Sequence, residues 1–410
     1  MVLAVVGLVA LRPLFGSHSD TAAANADGQT TSRPGYSAPK GSVADPDPLK
    51  QVPAPATSYQ GTPVVQACNV LGVDDLRALG INTDPNAAPD KRTFERTYIA
   101  GDGSAPLDGE GHASVRADSD VLNKCVYGLS GRNDVYITDH ISIGVSQDAY
   151  YPGSSGVEKY QGERQIGATH LTSHVQPGID PGDQLGAVDM YVHGAFLEMY
   201  VSLSAKGYAS KLEDLITKVA DNLQKQIAAP AGPSSLTYDS KTYPKPVVQP
   251  CPMITEAVYD KAFHTPMSPL VVERPATAVR RTDLYAKVSP FNSISIDCFR
   301  GSGQQTAENR QQLEFQVSSY LTENGAKQDI NVGRTQDHGE PLSTPLGDEA
   351  IMYNDPSNPA ASGVISIRQG RFILLLRARD KQHPDGFGVS DAQSMLVPAA
   401  QEILRNFHDR

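Results

Sequence analysis

The feature of this sequence that most constrains its fold is a repeat that carries cysteines. Pro63-Val-Val-Gln-Ala-Cys68 recurs as Pro246-Val-Val-Gln-Pro-Cys251, and each copy is followed by one more cysteine, Cys125 or Cys298. Self-similarity at this distance indicates two copies of one structural unit. The 410 residues, of which 39% are hydrophobic, are enough for about two cores of ordinary size.

The cysteines also indicate the compartment. Four thiols can pair in three ways, and the repetition favours Cys68–Cys125 and Cys251–Cys298. Zinc is the main competing use of paired cysteines, but the C-x₂-C spacing of zinc sites does not occur in this sequence. Free buried thiols are the remaining alternative. Because disulfides persist in oxidising compartments, the pairing predicts an exported chain.

The end of each repeat predicts a hairpin followed by a helix. Val188–Leu203 matches Val364–Arg379, with the alternation of a half-buried strand, and places His193-Gly194 and Gln369-Gly370 at the same point of the turn. An apolar stripe at helical spacing follows in both halves. We therefore predict an α+β fold of two similar domains, each an antiparallel sheet packed by an N-terminal and a C-terminal helix, with one disulfide per domain.

Composition divides the chain into five segments. Residues 1–15 contain an uninterrupted apolar run and predict an N-terminal membrane anchor, either the end of a longer anchor or an uncleaved signal. Residues 16–61 are rich in Pro, Ala, Ser, Thr and Gly and predict a disordered stalk. Residues 62–228 form the first predicted domain, 229–245 a Pro/Ser linker and 246–410 the second domain.

This order of features resembles a known family. A cysteine before a short helix, a later strand cysteine, the turn Gly347–Ala350, a hairpin and a final amphipathic helix are similar to actinobacterial secreted or lipoprotein-type envelope domains of uncharacterised function. Those domains are similar in style to the extracellular sensor domains of actinobacterial Ser/Thr kinases. The resemblance covers residues 63–228 and 246–410 as a tandem pair, and it implies binding, sensing or scaffolding without established catalysis.

The sequence departs from the family pattern in three places. No lipobox cysteine precedes Cys68, so a lipoprotein attachment is excluded for the sequence as given. An aromatic residue lies two positions after Cys125, at Tyr127, but in the second repeat Phe299 follows its cysteine directly. The first repeat reads Gly-Asp-Gln-Leu where the second reads Gly-Asp-Glu-Ala. These departures affect the subfamily and not the predicted fold.

Two sets of polar residues are candidate sites. Asp183, and Asp348 with Glu349, follow a glycine ahead of each predicted hairpin, where they form either a structural turn or a ligand contact. His170 and His174 have a metal-like spacing, but a third ligand would have to come from His140 or Asp139. We therefore predict no metal site and no cofactor, with the two histidines as weak candidates.

The remaining motifs indicate no catalysis. Serine-hydrolase elbows, P-loop lysines and H-E-x-x-H are all missing from the sequence. The net charge of −11 argues against a nucleic-acid partner, which requires a basic patch.

We therefore expect a non-enzymatic binding, sensor or scaffold protein of the actinobacterial cell envelope. A single N-terminal anchor would hold it in the cell membrane with the bulk of the chain extracytoplasmic, and its partner would be an envelope component or a membrane protein. The sequence leaves the oligomeric state open. One alternative is a carboxylate- or metal-dependent hydrolase of cell-wall or lipid substrates. Another is a structural spacer subunit of a membrane complex.

Overall fold

The computed structural model describes residues 49–52, 54–59, 61–83, 94–101, 123–133, 138–147, 163–178, 180–238, 248–277, 293–302, 311–354, 363–380 and 387–407. Within these residues the fold is mixed α+β, with a mostly antiparallel sheet, few helices and two disulfides, which confirms the predicted class. The predicted anchor, residues 1–15, lies outside the described residues. Among the described residues, no helix combines the length and the apolar character needed to cross a membrane.

The strands follow the chain in this order: β1 (Leu49–Val52), β2 (Ser58–Tyr59), β3 (Thr62–Pro63), β4 (Phe94–Ile99), β5 (Lys124–Asn133), β6 (Thr138–Gln147), β7 (Arg164–Ile166), β8 (Thr169–Ser173), β9 (Gln176–Pro177), β10 (Gln184–Val192), β11 (Ala195–Leu203), β12 (Ser235–Tyr238), β13 (Met267–Thr277), β14 (Ser293–Ser302), β15 (Gln312–Tyr320), β16 (Glu340–Pro341), β17 (Glu349–Asn354), β18 (Gly363–Gln369) and β19 (Phe372–Arg379).

The helices are α1 (Ala67–Val70), α2 (Val73–Ala78), α3 (Leu212–Ala228), α4 (Glu256–Phe263), α5 (Glu323–Gln336) and α6 (Val389–Asn406). The predicted stripes account for α3 and α6, whose buried residues recur every three or four positions. Helix α5 was not predicted from the sequence.

One sheet runs through both repeats. Among the described residues it has 15 strands in the order β16-β17-β18-β19-β15-β14-β13-β4-β5-β6-β11-β10-β8-β7, with β9 beside β10. We call the strands from β4 to β11 the first half of the sheet and those from β13 to β19 the second half. The halves meet where β4 pairs with β13, and we call this pairing the joint.

The two faces of the sheet differ. We call the face that packs against α3 in the first half and α6 in the second the core face, and the opposite one the outer face. Cys125, Arg96, Glu273 and Cys298 lie directly opposite one another across β5, β4, β13 and β14. Residues paired in this way point to the same face, so both cores lie on one side of the sheet.

The disulfides have the predicted pairing, Cys68–Cys125 and Cys251–Cys298. Cys68, in α1, is joined to β5, and Cys251, shortly ahead of α4, is joined to β14; each strand lies next to a strand of the joint. All four cysteines are buried, which is typical of structural disulfides rather than reactive thiols.

The two predicted hairpins are present with different turns. The first turn is His193-Gly194, with positive φ at both residues (46° and 80°), as in a type I′ turn. The second turn is Gly370-Arg371, with a positive φ of 57° at Gly370, the position that type II′ reserves for glycine. Gln369, which the sequence match placed in the turn, is instead the last residue of β18.

This shift corrects the predicted match between the hairpins by one residue. Val188 packs in the core of the first half, and the residue at the same distance from the second turn is Ile365, which packs in the core of the second. The predicted match for Val188, Val364, lies on the outer face. A shift of one residue exchanges the faces because side chains alternate along a strand.

The structure also corrects two segments predicted to lack structure. Residues 49–52, at the end of the predicted stalk, form β1, and residues 235–238, within the predicted linker, form β12. These two strands pair with each other in antiparallel fashion. Hydrogen bonds between the two backbones order these segments. Neither the apolar content nor the periodicity of their sequences indicates this pairing.

Candidate functional site on the outer face of the sheet

Strands β10 and β11 bring two carboxylates together on the outer face of the first half. Their even- and odd-numbered positions alternate between the core and the outer face. The two-residue turn sets the register so that Asp189 lies directly opposite Glu198. Opposed Cβ atoms in such a pair are about 4.5–5.5 Å apart. The site therefore begins as a cross-strand pair of like charges.

The surroundings of this pair disfavour ionisation. Burial raises the pKa of Asp189, and the nearby His174, with Nε2 at 3.6 Å from Asp189 Oδ2, acts in the opposite direction. Burial and the charge of Asp189 raise the pKa of Glu198, against the opposing charge of Lys124. An incoming cation or hydrogen-bond donor would relieve this repulsion.

Aromatic side chains lie beside the carboxylates. Tyr200 follows Glu198 by two residues on the same face, is 37% exposed and stacks on His140 with 5.5 Å between ring centroids. Ser142 lies opposite Tyr200, and Gly144 opposite Glu198, on the neighbouring β6. The acidic and aromatic groups therefore stand next to a strand that carries small side chains on this face.

The outer face of the second half is occupied by α5. Gly333 approaches β17 so closely that a Cβ atom there would lie 2.8 Å from Ile351 Cδ1. Arg334 Nη2 of the same helix contacts Glu349 Oε2 at 2.7 Å. Arg368 donates from Nε to Glu349 Oε1 at 2.5 Å and from Nη1 to Asp348 Oδ2 at 2.7 Å.

This network lowers the pKa of its carboxylate, whereas the surroundings of Asp189 and Glu198 raise theirs. Burial alone would raise the pKa of Glu349, but the hydrogen bonds and charges of Arg368 and Arg334 hold it below its usual value. Asp348 Oδ2 also accepts from the turn nitrogen of Gly370 at 2.8 Å. In the structure Asp348 and Glu349, which were predicted to be a structural or binding turn, make these contacts within the protein.

Asp183 lies elsewhere than the sequence match suggested. It is buried, and its Oδ1 accepts from the backbone nitrogen of Ala205 at 2.9 Å, beyond the end of β11. That end of the hairpin is remote from the His193-Gly194 turn, whereas Asp348 contacts the turn of its own hairpin. The two Gly-Asp sequences therefore lie at opposite ends of the two hairpins.

The histidine pair cannot share an ion. His170 lies on β8 and His174 immediately after it, where a four-residue separation spans about 13 Å. The suggested third ligand, Asp139, is fully buried and accepts from Ser204 N at 2.9 Å and Ser204 Oγ at 3.1 Å. In the part of the chain that the structure describes, no three His, Cys, Asp or Glu residues are grouped to hold a metal ion.

The outer face of the first half can therefore offer two carboxylates, a stacked tyrosine and histidine, and a strip of small side chains to a ligand. The surroundings of Asp189 and Glu198 raise both pKa values. Comparison with protein families, with curated proteins and with solved structures finds no match to this chain.

Proposed function

We propose that this protein is a non-enzymatic binding protein of the actinobacterial cell envelope. Its N-terminal segment tethers it to the cell membrane, and the outer face of the first half binds an envelope component or a membrane protein. The observation that carries the proposal is the cluster of Asp189, Glu198, Tyr200 and His140 on that face. Half-buried like charges beside an exposed aromatic ring are costly to retain without a ligand.

The buried disulfides support the exported location. Disulfides of this kind form and persist outside the reducing cytoplasm. The resemblance to actinobacterial envelope domains supports the same compartment and a role without catalysis.

We further infer that the two halves are similar domains in tandem. Outward from the joint, the core-face row reads Arg96, Cys125, Ile143, Met199 and Val188 in the first half. In the second half it reads Glu273, Cys298, Phe315, Leu376 and Ile365. Each strand of one row has its counterpart in the other, with a disulfide cysteine next to the joint on both sides. This matched register supports duplication more strongly than the short sequence motifs do.

A co-sedimentation experiment tests the binding role. The compact unit Gly41–Arg410 is incubated with isolated cell-wall and membrane fractions of an actinobacterium, and the bound protein is measured after washing. We expect the wild type to bind one fraction saturably and Tyr200→Ala or Glu198→Gln to lose binding at least tenfold. Arg379→Met, which changes the outer face of the second half, is the matched control and should bind like the wild type.

Two results would contradict the proposal. One is a wild type that binds neither fraction, and the other is binding that Tyr200→Ala and Glu198→Gln leave unchanged. The second result would mean that the protein binds the cell envelope through a surface other than the outer face of the first half.

The carboxylate pair also favours one alternative, a carboxylate-dependent hydrolase. A pair of carboxylates serves as nucleophile and acid in retaining glycosidases. The same fractions give the test, because a hydrolase releases soluble sugar or lipid fragments with time. Release by the wild type, abolished in both Asp189→Asn and Glu198→Gln, would replace the binding proposal with this one.

A further inference from the structure

The joint between the halves contains a buried ion pair. Arg96 and Glu273 lie directly opposite each other on the core face and are 3% and 1% exposed. Arg96 donates from Nε and Nη2 to the two carboxylate oxygens of Glu273, both at 2.8 Å, and from Nη1 to the carbonyl oxygen of Ser234. Each charge therefore depends on the other, because burial removes the water that would otherwise solvate it.

These two residues occupy equivalent places in the two halves. Each lies directly opposite the disulfide cysteine of its own half, Cys125 for Arg96 and Cys298 for Glu273. If the halves are tandem copies, a local two-fold axis passes between Arg96 and Glu273. One copy has a cation at this position, and the other has an anion.

The opposite charges determine which edges can pair. Two first halves joined about the same axis would bury Arg96 against a second Arg96, and two second halves would bury Glu273 against a second Glu273. A buried charge that faces a like charge is strongly destabilising. Pairing of unlike edges is the arrangement that satisfies both charges.

A second ion pair on the outer face favours the same choice. Arg274 Nε lies 2.5 Å from Glu95 Oε2 across the joint. The counterpart of Arg274 in the first half is Thr97, so two paired first halves would place Glu95 opposite a neutral hydroxyl and lose this contact.

The cores also depend on the joint being closed. Ile294 and Ile296, on β14 of the second half, pack in the core cluster of the first half, and Tyr98, on β4 of the first half, packs against the second cluster. An open joint would expose these apolar side chains to water. A chain whose joint opens therefore gains by pairing again, with itself or with a second copy.

We propose that β4 and β13 form a heterotypic recognition pair, in which each edge fits the other and rejects a second copy of itself. When the joint opens, the partner that fits is a second copy of this chain, in a strand-exchanged dimer where β4 of each copy pairs with β13 of the other. This proposal rests on the tandem arrangement inferred above and is independent of the envelope-binding role.

Charge reversal in the full chain tests the proposal. R96E places like charges at the joint, as does E273R, and neither variant can be satisfied within one copy or between identical copies. A mixture of the two variants can be satisfied by exchange, because the carboxylate introduced by R96E in one copy then meets the guanidinium introduced by E273R in the other. We expect a 1:1 complex of twice the wild-type mass by native mass spectrometry in the mixture, and no such dimer of either variant alone.

Two controls make the outcome decisive. The double variant R96E/E273R restores opposite charges within one copy and should return to the wild-type mass, with a melting temperature above that of either single variant. Co-expression of the two single variants covers the case in which either one alone fails to accumulate, and it should then yield soluble 1:1 complex.

The proposal is overturned if the mixture and the co-expressed pair give no complex while the double variant recovers. It is equally overturned if R96E or E273R alone forms a dimer. Because the readout is mass and melting temperature, failure here is distinguishable from failure of the binding test on Tyr200 and Glu198.

Discussion

On the outer face of the sheet, the first half places Asp189 opposite Glu198, whereas the second half places Glu349 opposite Arg368. The first pair repels, and both of its pKa values are raised. The second pair attracts, and the pKa of Glu349 is lowered. Paired strands in the two halves thus carry one carboxylate site whose ionised form the protein environment disfavours and one whose ionised form it favours.

Helix α5 accounts for part of this difference. It packs on β15, β17, β18 and β19 and brings Arg334 to Glu349. No helix within the described residues packs on the outer face of the first half. On a sheet face that a helix covers, polar side chains pair within the protein and stabilise the fold. A face without a covering helix can keep polar side chains that bind a ligand. The comparison therefore supports the proposal that the first half is the binding half.

Removal of Arg368 should have the largest effect. Arg368→Met leaves Asp348 and Glu349 without their shared partner in a site where the arginine side chain is only 10% exposed. We expect a loss of about 3 kcal/mol in the free energy of unfolding, as for a broken buried ion pair. Arg379→Met is the control, since its pair with Glu314 is more exposed and should contribute less than about 1 kcal/mol. Equal losses in urea denaturation would show that the two pairs do not differ.

Glu349→Gln should have a smaller effect that depends on pH. The lowered pKa of Glu349 means that its ionised form stabilises the folded state above the ordinary glutamate pKa, and that this stabilisation is lost as pH falls through the lowered value. We expect the variant to be less stable than the wild type by about 1.5–3 kcal/mol at pH 7. The difference should disappear in acid, and thermal melts across pH 2–7 measure it. A difference that stays constant with pH would assign the loss to packing instead.

Glu198→Gln should have the opposite sign. A raised pKa means that the folded state favours the protonated form, so the wild type loses stability as pH rises from the ordinary value through the raised one. Removing the charge should stabilise the protein at pH 7 by about 0.2–1 kcal/mol, the usual size of a cross-strand like-charge effect. Below about pH 4 the two proteins should melt together. A destabilised variant at neutral pH would mean that Glu198 is satisfied within the fold and would weaken the comparison.

The sequence predicted those features that local patterns encode. The cysteine repeat predicted both disulfides, and alternation along Val188–Leu203 predicted the first hairpin. The acid pair was within reach of the same reasoning, because Asp189 and Glu198 lie four residues outside the two turn residues on either side. Counting the register outward from His193-Gly194 would have placed them opposite each other.

Other features could not be read locally. The segment that forms α5 contains Gly325 and Gly333 and has few apolar residues at helical spacing, so its helical state depends on packing against the sheet. The joint pairs residues about 170 positions apart, and nothing in the spacing of Arg96 or Glu273 indicates their contact. Long-range strand pairing is decided by the whole core rather than by either strand.

Tyr200→Ala should change stability least and binding most. Tyr200 is 37% exposed and its ring contact is with His140 on the surface of the sheet, so we expect a change of about 0.5 kcal/mol or less in the free energy of unfolding. Substitution of a structural residue would lower the stability and the binding of the protein together. We expect this of Arg368→Met, where any loss of binding should accompany the loss of stability. Measuring both quantities on both variants separates the roles of the two halves. If Tyr200→Ala unfolds the first half, the contact between Tyr200 and His140 is structural. The outer face then stabilises the core and is not a ligand-binding surface.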